Sequence, residues 1–323
     1  MKTGTSGLPP TAPATPGARR GRWARVRGRI AAAACVFGLL LSASAAAEQP
    51  RVVTTFTILT DLVEQVAGDR VEVRTLAPTG AEVHEWELKP DNFRALERAD
   101  LVFYNGYGLE QWMRQVRATV PDGVQVVAVA EDSGHETIPI RIGDFEGDPD
   151  PHLWMDPRAV DGYVAAIANA LKELDPDHAD TYAERAERYR ERFAGLHEDL
   201  ADELAAIPES RRLLVTSEAA FPYFADAYGF RHDGIWGTNA EEEGSPRQIM
   251  RIIDRVREWE VPAVFWESTI SDRYVRSVAA ETGARVVGPL YVDSLSDPDG
   301  PAATYEAMMR HNVAKIVQAL GDE

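Results

Sequence analysis

The chain has 323 residues, with 52 acidic against 34 basic side chains and a formal charge of −18. That balance lacks the basic face that phosphate binding needs, so nucleic acid is not an expected partner. A single cysteine, Cys35, excludes an internal disulfide; it lies in the first 47 residues, so the chain after them has no thiolate and leaves nitrogen and oxygen as the metal donors.

Residues 1–47 read as an export segment. Six arginines from Arg19 to Arg29 come with no acidic residue, an apolar run follows from Ile30 to Leu41, and the small residues SASAAAEQ close it. That order is the layout of a secretory signal peptide, with cleavage expected after Ala45 or Ala47. The apolar run is too short for a spanning helix. Cys35 falls inside it rather than after it, so no lipid anchor is expected. Gly21-Arg22 lacks the apolar residues that follow a twin-arginine pair, which argues against that route for Arg19-Arg20. The exported chain is expected to be a soluble, periplasmic monomer. Seven basic and no acidic residues leave with the segment, so its charge moves from −18 to −25. The acidity is consistent with solubility and is not itself evidence of a cation site.

From Arg51 the pattern alternates. RVVTTF reads as a strand, LTDLVEQVAG as a helix closed by Gly68, VEVRTLAP as a strand, and PDNFRALERA as a helix opened by Pro90. LVFYNG, EQWMRQVRATV and VQVVAVA continue as strand, helix and strand. A loop from Glu131 to Pro151 precedes the helix PRAVDGYVAAIANALKEL. Asp175-Pro176 is expected to cap a long helix ended by Pro208. Its apolar stripe is Tyr182, Ala186, Tyr189, Phe193, Leu196, Leu200, Leu204 and Ile207, at steps of 3 and 4. At 1.5 Å per residue it would run roughly 45 Å. Alternation then resumes: strand RLLVTS, helix FPYFADAYG, strand RHDGIWG, helix SPRQIMRIIDRVREWE, strand AVFWES, helix SDRYVRSVAAETG, strand ARVVGPLYV and a closing helix TYEAMMRHNVAKIVQALG.

The expected fold is α/β, with two lobes that each hold a mostly parallel central sheet flanked by helices. The expected boundaries are 48–174 for the first lobe, 175–208 for one long rigid linking helix and 209–323 for the second lobe. A stiff linker implies small local changes rather than wide closure. Four potential metal ligands, His84, His152, Glu218 and Asp293, sit in or next to loops, most of them just beyond a strand-like run. Ligands of α/β proteins bind at such strand ends. Two imidazoles and two carboxylates suit a divalent transition metal, provided that a cleft between the lobes brings them together.

The motifs VHEWELKPDNFRAL, DPHLWMDP, TSEAAFPYFADAYGF, IWGTNAEEEGSPRQI, VFWESTIS and VDSLSDPDGPAATYEAMMRHN span nearly all of the exported chain. In content and order they resemble the solute-binding proteins of metal-ion ABC transporters, the cluster A-I group for manganese, zinc and iron. The resemblance implies two lobes joined by a long helix and one metal ion in the cleft, carried as cargo. It places the four ligands at His84, His152, Glu218 and Asp293. It also implies a permease and a cytoplasmic ATPase as partners. No Walker motif or spanning helix is present, so these are other chains. Manganese-type and iron-type members carry Glu at the third position and zinc-type members usually His. The resemblance with Glu218 therefore implies Mn2+, with Zn2+ or Fe2+ as alternatives. The stretch before His152 has only His135 and no histidine run, a second departure from the zinc pattern. EEEGSP also looks like the manganese type.

The chemistry agrees. Two neutral imidazoles and two carboxylates neutralise a dication, and carboxylates that bind through two oxygens raise the coordination number, which suits manganese better than tetrahedral zinc. Trp86, Trp154 and Trp236 are candidate walls of the site, and Asp150, Asp156 and Glu267 candidate partners of its ligands. His135 reads as a solvated loop residue, His178 and His197 as ordinary and His311 as helix packing; His232 has no assigned role, and Glu241, Glu242 and Glu243 read as a solvated run favoured at a helix start. An enzyme is not expected. A hydrolytic site needs an open metal position and a general base, and neither H-E-x-x-H nor G-x-S-x-G occurs. Edman sequencing of the exported protein is expected to start between Ala46 and Gln49; a soluble protein that retains Arg22 or Ile30 would contradict the export reading.

Overall fold

A computed structural model of the chain describes residues 49–238 and 244–321. The export segment with Cys35, and the run Glu241, Glu242 and Glu243, lie outside the described residues. In the first half, four short strands pair in parallel: β1 (Arg51–Thr54), β2 (Glu72–Thr75), β3 (Leu101–Tyr104) and β4 (Gln125–Ala128), in spatial order β2-β1-β3-β4. β1 and β3 are the central pair and are buried along nearly their whole length. Such strands, covered on both faces, favour apolar and β-branched residues without alternation, as RVVT and LVFY show. The covering helices are α1 (Thr57–Ala67), α2 (Pro90–Leu96), α3 (Met113–Thr119), α4 (Val129–Asp132) and α5 (Pro157–Leu174). Asp156 caps α5 by accepting the Arg158 N–H at 2.9 Å, and Pro157 occupies the first turn, where no N–H is needed.

The second half holds two parallel pairs, β5 (Leu213–Glu218) with β6 (Arg231–Trp236) and β7 (Ala263–Glu267) with β8 (Arg285–Leu290). β5 lies beside β7. Helices α7 (Pro222–Tyr228), α8 (Pro246–Trp259), α9 (Arg273–Thr282) and α10 (Tyr305–Leu320) flank them. Ser245 and Gln248 form a reciprocal capping box at the start of α8. The architecture is therefore α/β with parallel sheets between helices, as the alternation predicts.

The long helix between the halves is α6 (Ala179–Leu204), 26 residues or about 39 Å, shorter than the expected span. A 3-10 turn, Pro176–His178, precedes it. Asp175 does not cap it: its carboxylate instead accepts from Tyr182 Oη at 2.7 Å and pairs with His178 Nδ1 at 2.8 Å. At the far end the Arg212 guanidinium donates to the carbonyls of Leu204 and Ile207, satisfying groups the helix leaves open. Of the expected stripe, Tyr182, Ala186, Phe193, Leu196, Leu200, Leu204 and Ile207 are buried, and Tyr189 is half-buried.

The larger hydrophobic core runs without a break from Val52 and Phe56 through α5 and α6 to Met308 and Ile316 of α10. A smaller core, with Val215, Trp236, Ile252, Val264 and Val275, fills the outer part of the second half. The long helix is thus a wall of a shared core rather than a free rod. Because Leu200 is fully buried in that core, Leu200→Ala should lower unfolding stability by about 2–5 kcal/mol in denaturant titration; a loss under about 0.5 kcal/mol, the usual surface value, would contradict this packing.

Candidate metal centre

Three of the candidate side chains are delivered by loops and Glu218 by the end of a strand, each held by bonds from the fold around it. His84 follows buried Val83 in the loop after β2. Its carbonyl accepts the Gln111 N–H at 3.2 Å, and the Val83 carbonyl accepts the Trp112 indole N–H at 2.7 Å. His152 precedes a 3-10 turn, Leu153–Met155. Asn105, fully buried, donates to the Pro151 carbonyl at 2.9 Å and accepts from Tyr163 Oη at 2.7 Å. Glu218 ends β5, where its neighbour Ala219 bonds the Trp236 carbonyl at 3.0 Å. β6 approaches so closely here that a Cβ on Gly234 would lie 2.4 Å from the Ala219 nitrogen, so only glycine fits. Asp293 lies in the segment after β8, where Trp154 donates its indole N–H to the Val292 carbonyl at 3.0 Å.

The four side chains converge. One ligand atom from each of His84, His152, Glu218 and Asp293 falls within 4.8 Å of all the others, and all four residues are buried. His84 Nε2 lies 3.3 Å from Glu218 Oε1. His152 Nε2 lies 3.5 Å from the same oxygen and 3.9 Å from Asp293 Oδ1. Metal bonds of about 2.1 Å would set tetrahedral donors roughly 3.4 Å apart, a spacing these atoms could offer to one metal ion. Among the described residues neither His84 Nε2 nor His152 Nε2 has a hydrogen-bond partner, although both are buried. A buried imidazole nitrogen without a partner is costly unless something else coordinates it.

The profile of the family described as zinc-uptake complex component A, periplasmic (ZnuA) matches residues 52–319. The chain belongs to this family of metal ABC transporter substrate-binding proteins. The iron-binding protein YfeA of Yersinia pestis is 40% identical over 88% of this chain and 93% of its own. The manganese-binding lipoprotein MntA of Halalkalibacterium halodurans is 39% identical over 84% of this chain and 88% of its own. Among solved structures, the Mn-bound periplasmic metal binding protein from candidatus liberibacter asiaticus has a TM-score of 0.77 at 32% identity, covering 84% of this chain and all of that one. The periplasmic zinc binding protein TroA from Treponema pallidum has a TM-score of 0.79 at 28% identity over 85% of this chain.

The four-residue cluster has a supporting layer that the sequence only partly disclosed. Asp150 takes the His152 Nδ1–H at 2.8 Å and its backbone N–H at 2.9 Å, which leaves Nε2 of the neutral ring with a lone pair facing the other ligands. Asp156 serves the start of α5 and pairs with Arg158 instead. Glu267 is buried near Asp293, and burial raises its carboxyl to about 8. Trp154 packs at a tilt against both His152 and Phe56, its ring centre 5.2 Å from each. Trp236 packs in the smaller core on Tyr274. Trp86 is half-buried and lines, with Leu88, Gln111 and Trp112, a surface hollow of about 520 Å³ beside His84.

Asn105, Glu110, Trp112 and Tyr163 were missed in the sequence because no motif marks them. Glu110, buried, accepts from Thr55 Oγ1 and the Asn105 N–H, both at 2.7 Å, and so braces the loop after β3. The remaining histidines stand apart from the cluster. His135 is half-buried against Tyr223 rather than solvated. His197 stacks on Tyr228, and His311 packs on Tyr291 and the Pro289 carbonyl. His232 faces Thr216 Oγ1 at 3.0 Å, and burial, aided by His152, lowers it to about 3.

Protons compete for the four side chains. Burial opposes charge on His152, yet Asp150, with Glu218 and Asp293, outweighs it and raises the imidazole to about 8. Burial, then Glu218 and Glu82, raises Asp293 to about 8. Both shifts mean that the metal-free centre holds protons at neutral pH, whereas metal binding requires neutral imidazole and ionised carboxylate. Metal binding should therefore release protons, and affinity should climb as pH rises toward about 8. The melting gap between metal-bound and metal-free protein should widen between about pH 6 and about pH 8, above the range near 6.5 expected of an unperturbed imidazole. Calorimetry in two buffers of different ionisation enthalpy reads the proton release; identical heats in both would contradict it. Asp150→Asn should weaken metal binding about tenfold or more.

Proposed function

We propose that the exported protein captures a single divalent transition metal through His84, His152, Glu218 and Asp293 and hands it to a membrane permease driven by a cytoplasmic ATPase. The observation that carries this reading is the convergence of four buried ligand atoms from three loops and one strand end, far apart in sequence. The membership of a family of ABC transporter substrate-binding proteins supplies the delivery role. Among the described residues no helix is long and apolar enough to cross a membrane, which agrees with a permease on another chain. The reading includes no chemistry: with four protein ligands around the ion, no position is reserved for an activated water.

Mn2+ is the proposed cargo. Glu218 adds a hard oxygen donor that can bind through both oxygens, and the donor set of two nitrogens and two carboxylates balances a dication while reaching higher coordination. The relatives named for manganese and for iron support a site of this type. Zn2+ is the second reading, favoured by the family's zinc-uptake description and by the intrinsic affinity order. Tight zinc binding in vitro is therefore compatible with manganese as cargo.

His84→Ala, His152→Ala, Glu218→Ala and Asp293→Ala should each weaken Mn2+ binding about tenfold or more, while His135→Ala and His197→Ala leave it unchanged. Glu218→His should weaken Mn2+ more than Zn2+ in competitive titration. Elemental analysis of protein purified from its native compartment, with Mn2+ and Zn2+ uptake in cells lacking it, decides the cargo; restored zinc uptake without manganese uptake would overturn the manganese assignment.

A further inference from the structure

The loop that leads to His152 folds back on itself as a narrow antiparallel pair. Pro139 and Pro149 face each other in an antiparallel bridge. On one side of that bridge the Ile140 N–H donates to the Asp148 carbonyl at 2.9 Å. On the other side the Asp150 N–H donates to the Ile138 carbonyl at 2.8 Å. Two residues opposed in this way normally exchange both bonds, N–H to carbonyl in each direction. Between Ile138 and Asp150 one bond is direct and the other runs through a side chain. The Tyr223 hydroxyl accepts the Ile138 N–H at 3.1 Å and donates to the Asp150 carbonyl at 2.8 Å.

That hydroxyl arrives from the neighbourhood of another candidate ligand. Tyr223 lies in the first turn of α7, which begins shortly after Glu218 ends β5. Its ring is buried in the larger core and packs against His135, 6.2 Å between ring centres. The residue it grips is the one that aims His152: the Asp150 carboxylate takes the His152 backbone N–H at 2.9 Å and Nδ1–H at 2.8 Å. Both main-chain groups of Asp150 are thus engaged, the N–H by Ile138 and the carbonyl by Tyr223. One chain of bonds runs from the segment after Glu218, through Tyr223 Oη and Asp150, to the imidazole of His152. The direction of Nε2 follows from it, because the bond at one ring nitrogen orients the other.

We propose that Tyr223 is a positioning residue for His152, acting through Asp150, and that its hydroxyl keys the loop before His152 to the segment that follows Glu218. This rests on the metal-capture reading above. The hydroxyl holds Ile138 and Asp150 one oxygen apart. Without it the buried Asp150 carbonyl loses its donor, which is costly. The Ile138 N–H can restore a donor only by closing directly onto that carbonyl, and closure carries Asp150 and its carboxylate with it. His152 then turns with the carboxylate, and Nε2 leaves the place where it meets the other donors. Binding constellations tolerate about 0.5 Å of such drift, less than the width of the oxygen removed. The aromatic ring alone packs the core, whereas the hydroxyl acts through its two bonds.

The test compares Tyr223→Phe, Asp150→Ala and the double variant of the exported chain, with Mn2+ affinity read by competition against a chelator. Tyr223→Phe keeps the ring and is expected to weaken Mn2+ binding about tenfold, as loss of a partner behind a ligand does. Asp150→Ala is expected to weaken it at least as much. The double variant should be no weaker than Asp150→Ala alone, because a residue that acts through Asp150 has nothing left to position. Native affinity in Tyr223→Phe, or losses that multiply in the double variant, would leave the hydroxyl a role in the fold only and overturn the proposal. A second measurement needs no variant. In the wild type the Ile138 amide proton exchanges with solvent only when the hydroxyl bridge opens, so saturating Zn2+, a diamagnetic probe, should slow its exchange about tenfold. An unchanged rate overturns the proposal. A wild-type protein that binds neither Mn2+ nor Zn2+ sinks the capture reading, and this inference with it.

Discussion

Two carboxylates and two imidazoles share a buried space less than 5 Å across, and the surrounding structure is organised by that fact. Like charges this close in a low-dielectric interior repel strongly, and burial opposes every ionised form. Without a cation the balance is met by protons, as the raised positions of His152 and Asp293 show. With a dication the four donors are neutralised at once. A site of this kind needs rigid support, because relaxation would let the carboxylates swing apart or reach water.

That support comes from buried side chains that bond to loop backbones. Trp112 holds the carbonyl before His84, Asn105 the carbonyl before His152, and Trp154 the carbonyl before Asp293. Each donor is itself buried, and each acceptor belongs to the residue next to a candidate ligand. Asp150 adds a carboxylate directly behind His152. The pattern fixes main-chain position first and imidazole or carboxylate direction second. Polar side chains that satisfy backbone groups in this way are costly to remove, since they would leave buried carbonyls without donors.

The continuous core around α6 sets how this arrangement can respond to metal. Phe193 of α6 packs edge-on to Tyr305, 5.2 Å between ring centres, and Tyr305 in turn bonds the Trp154 carbonyl beneath His152. A close-packed interior transmits displacement rather than absorbing it. Wide separation of the halves would open the core that α6 walls. The smaller core under β6, α8 and α9 shares its strands with the larger one: Val215 and Val264 belong to the smaller core, Leu214 and Phe265 of the same β5 and β7 to the larger.

Much of the architecture was legible in the sequence because it depends on local periodicity. Alternation of apolar runs with amphipathic stretches marked the strands and helices, and α5 begins and ends where PRAVDGYVAAIANALKEL does. Helix ends were less legible, since capping depends on tertiary partners: Asp175 bonds Tyr182 and His178, and Arg212 reaches back to close α6. The candidate ligands stood out only through the motifs that flank them, for a histidine or an acid in a loop carries no signal of its own. What tertiary structure alone decided is their company. The convergence of His84, His152, Glu218 and Asp293, and the bonds from Thr57 to Leu295 and from Trp154 to Val292 on either side of Asp293, join residues distant in the chain. Sequence periodicity records which face of an element is buried; which buried faces meet is determined by how the elements pack.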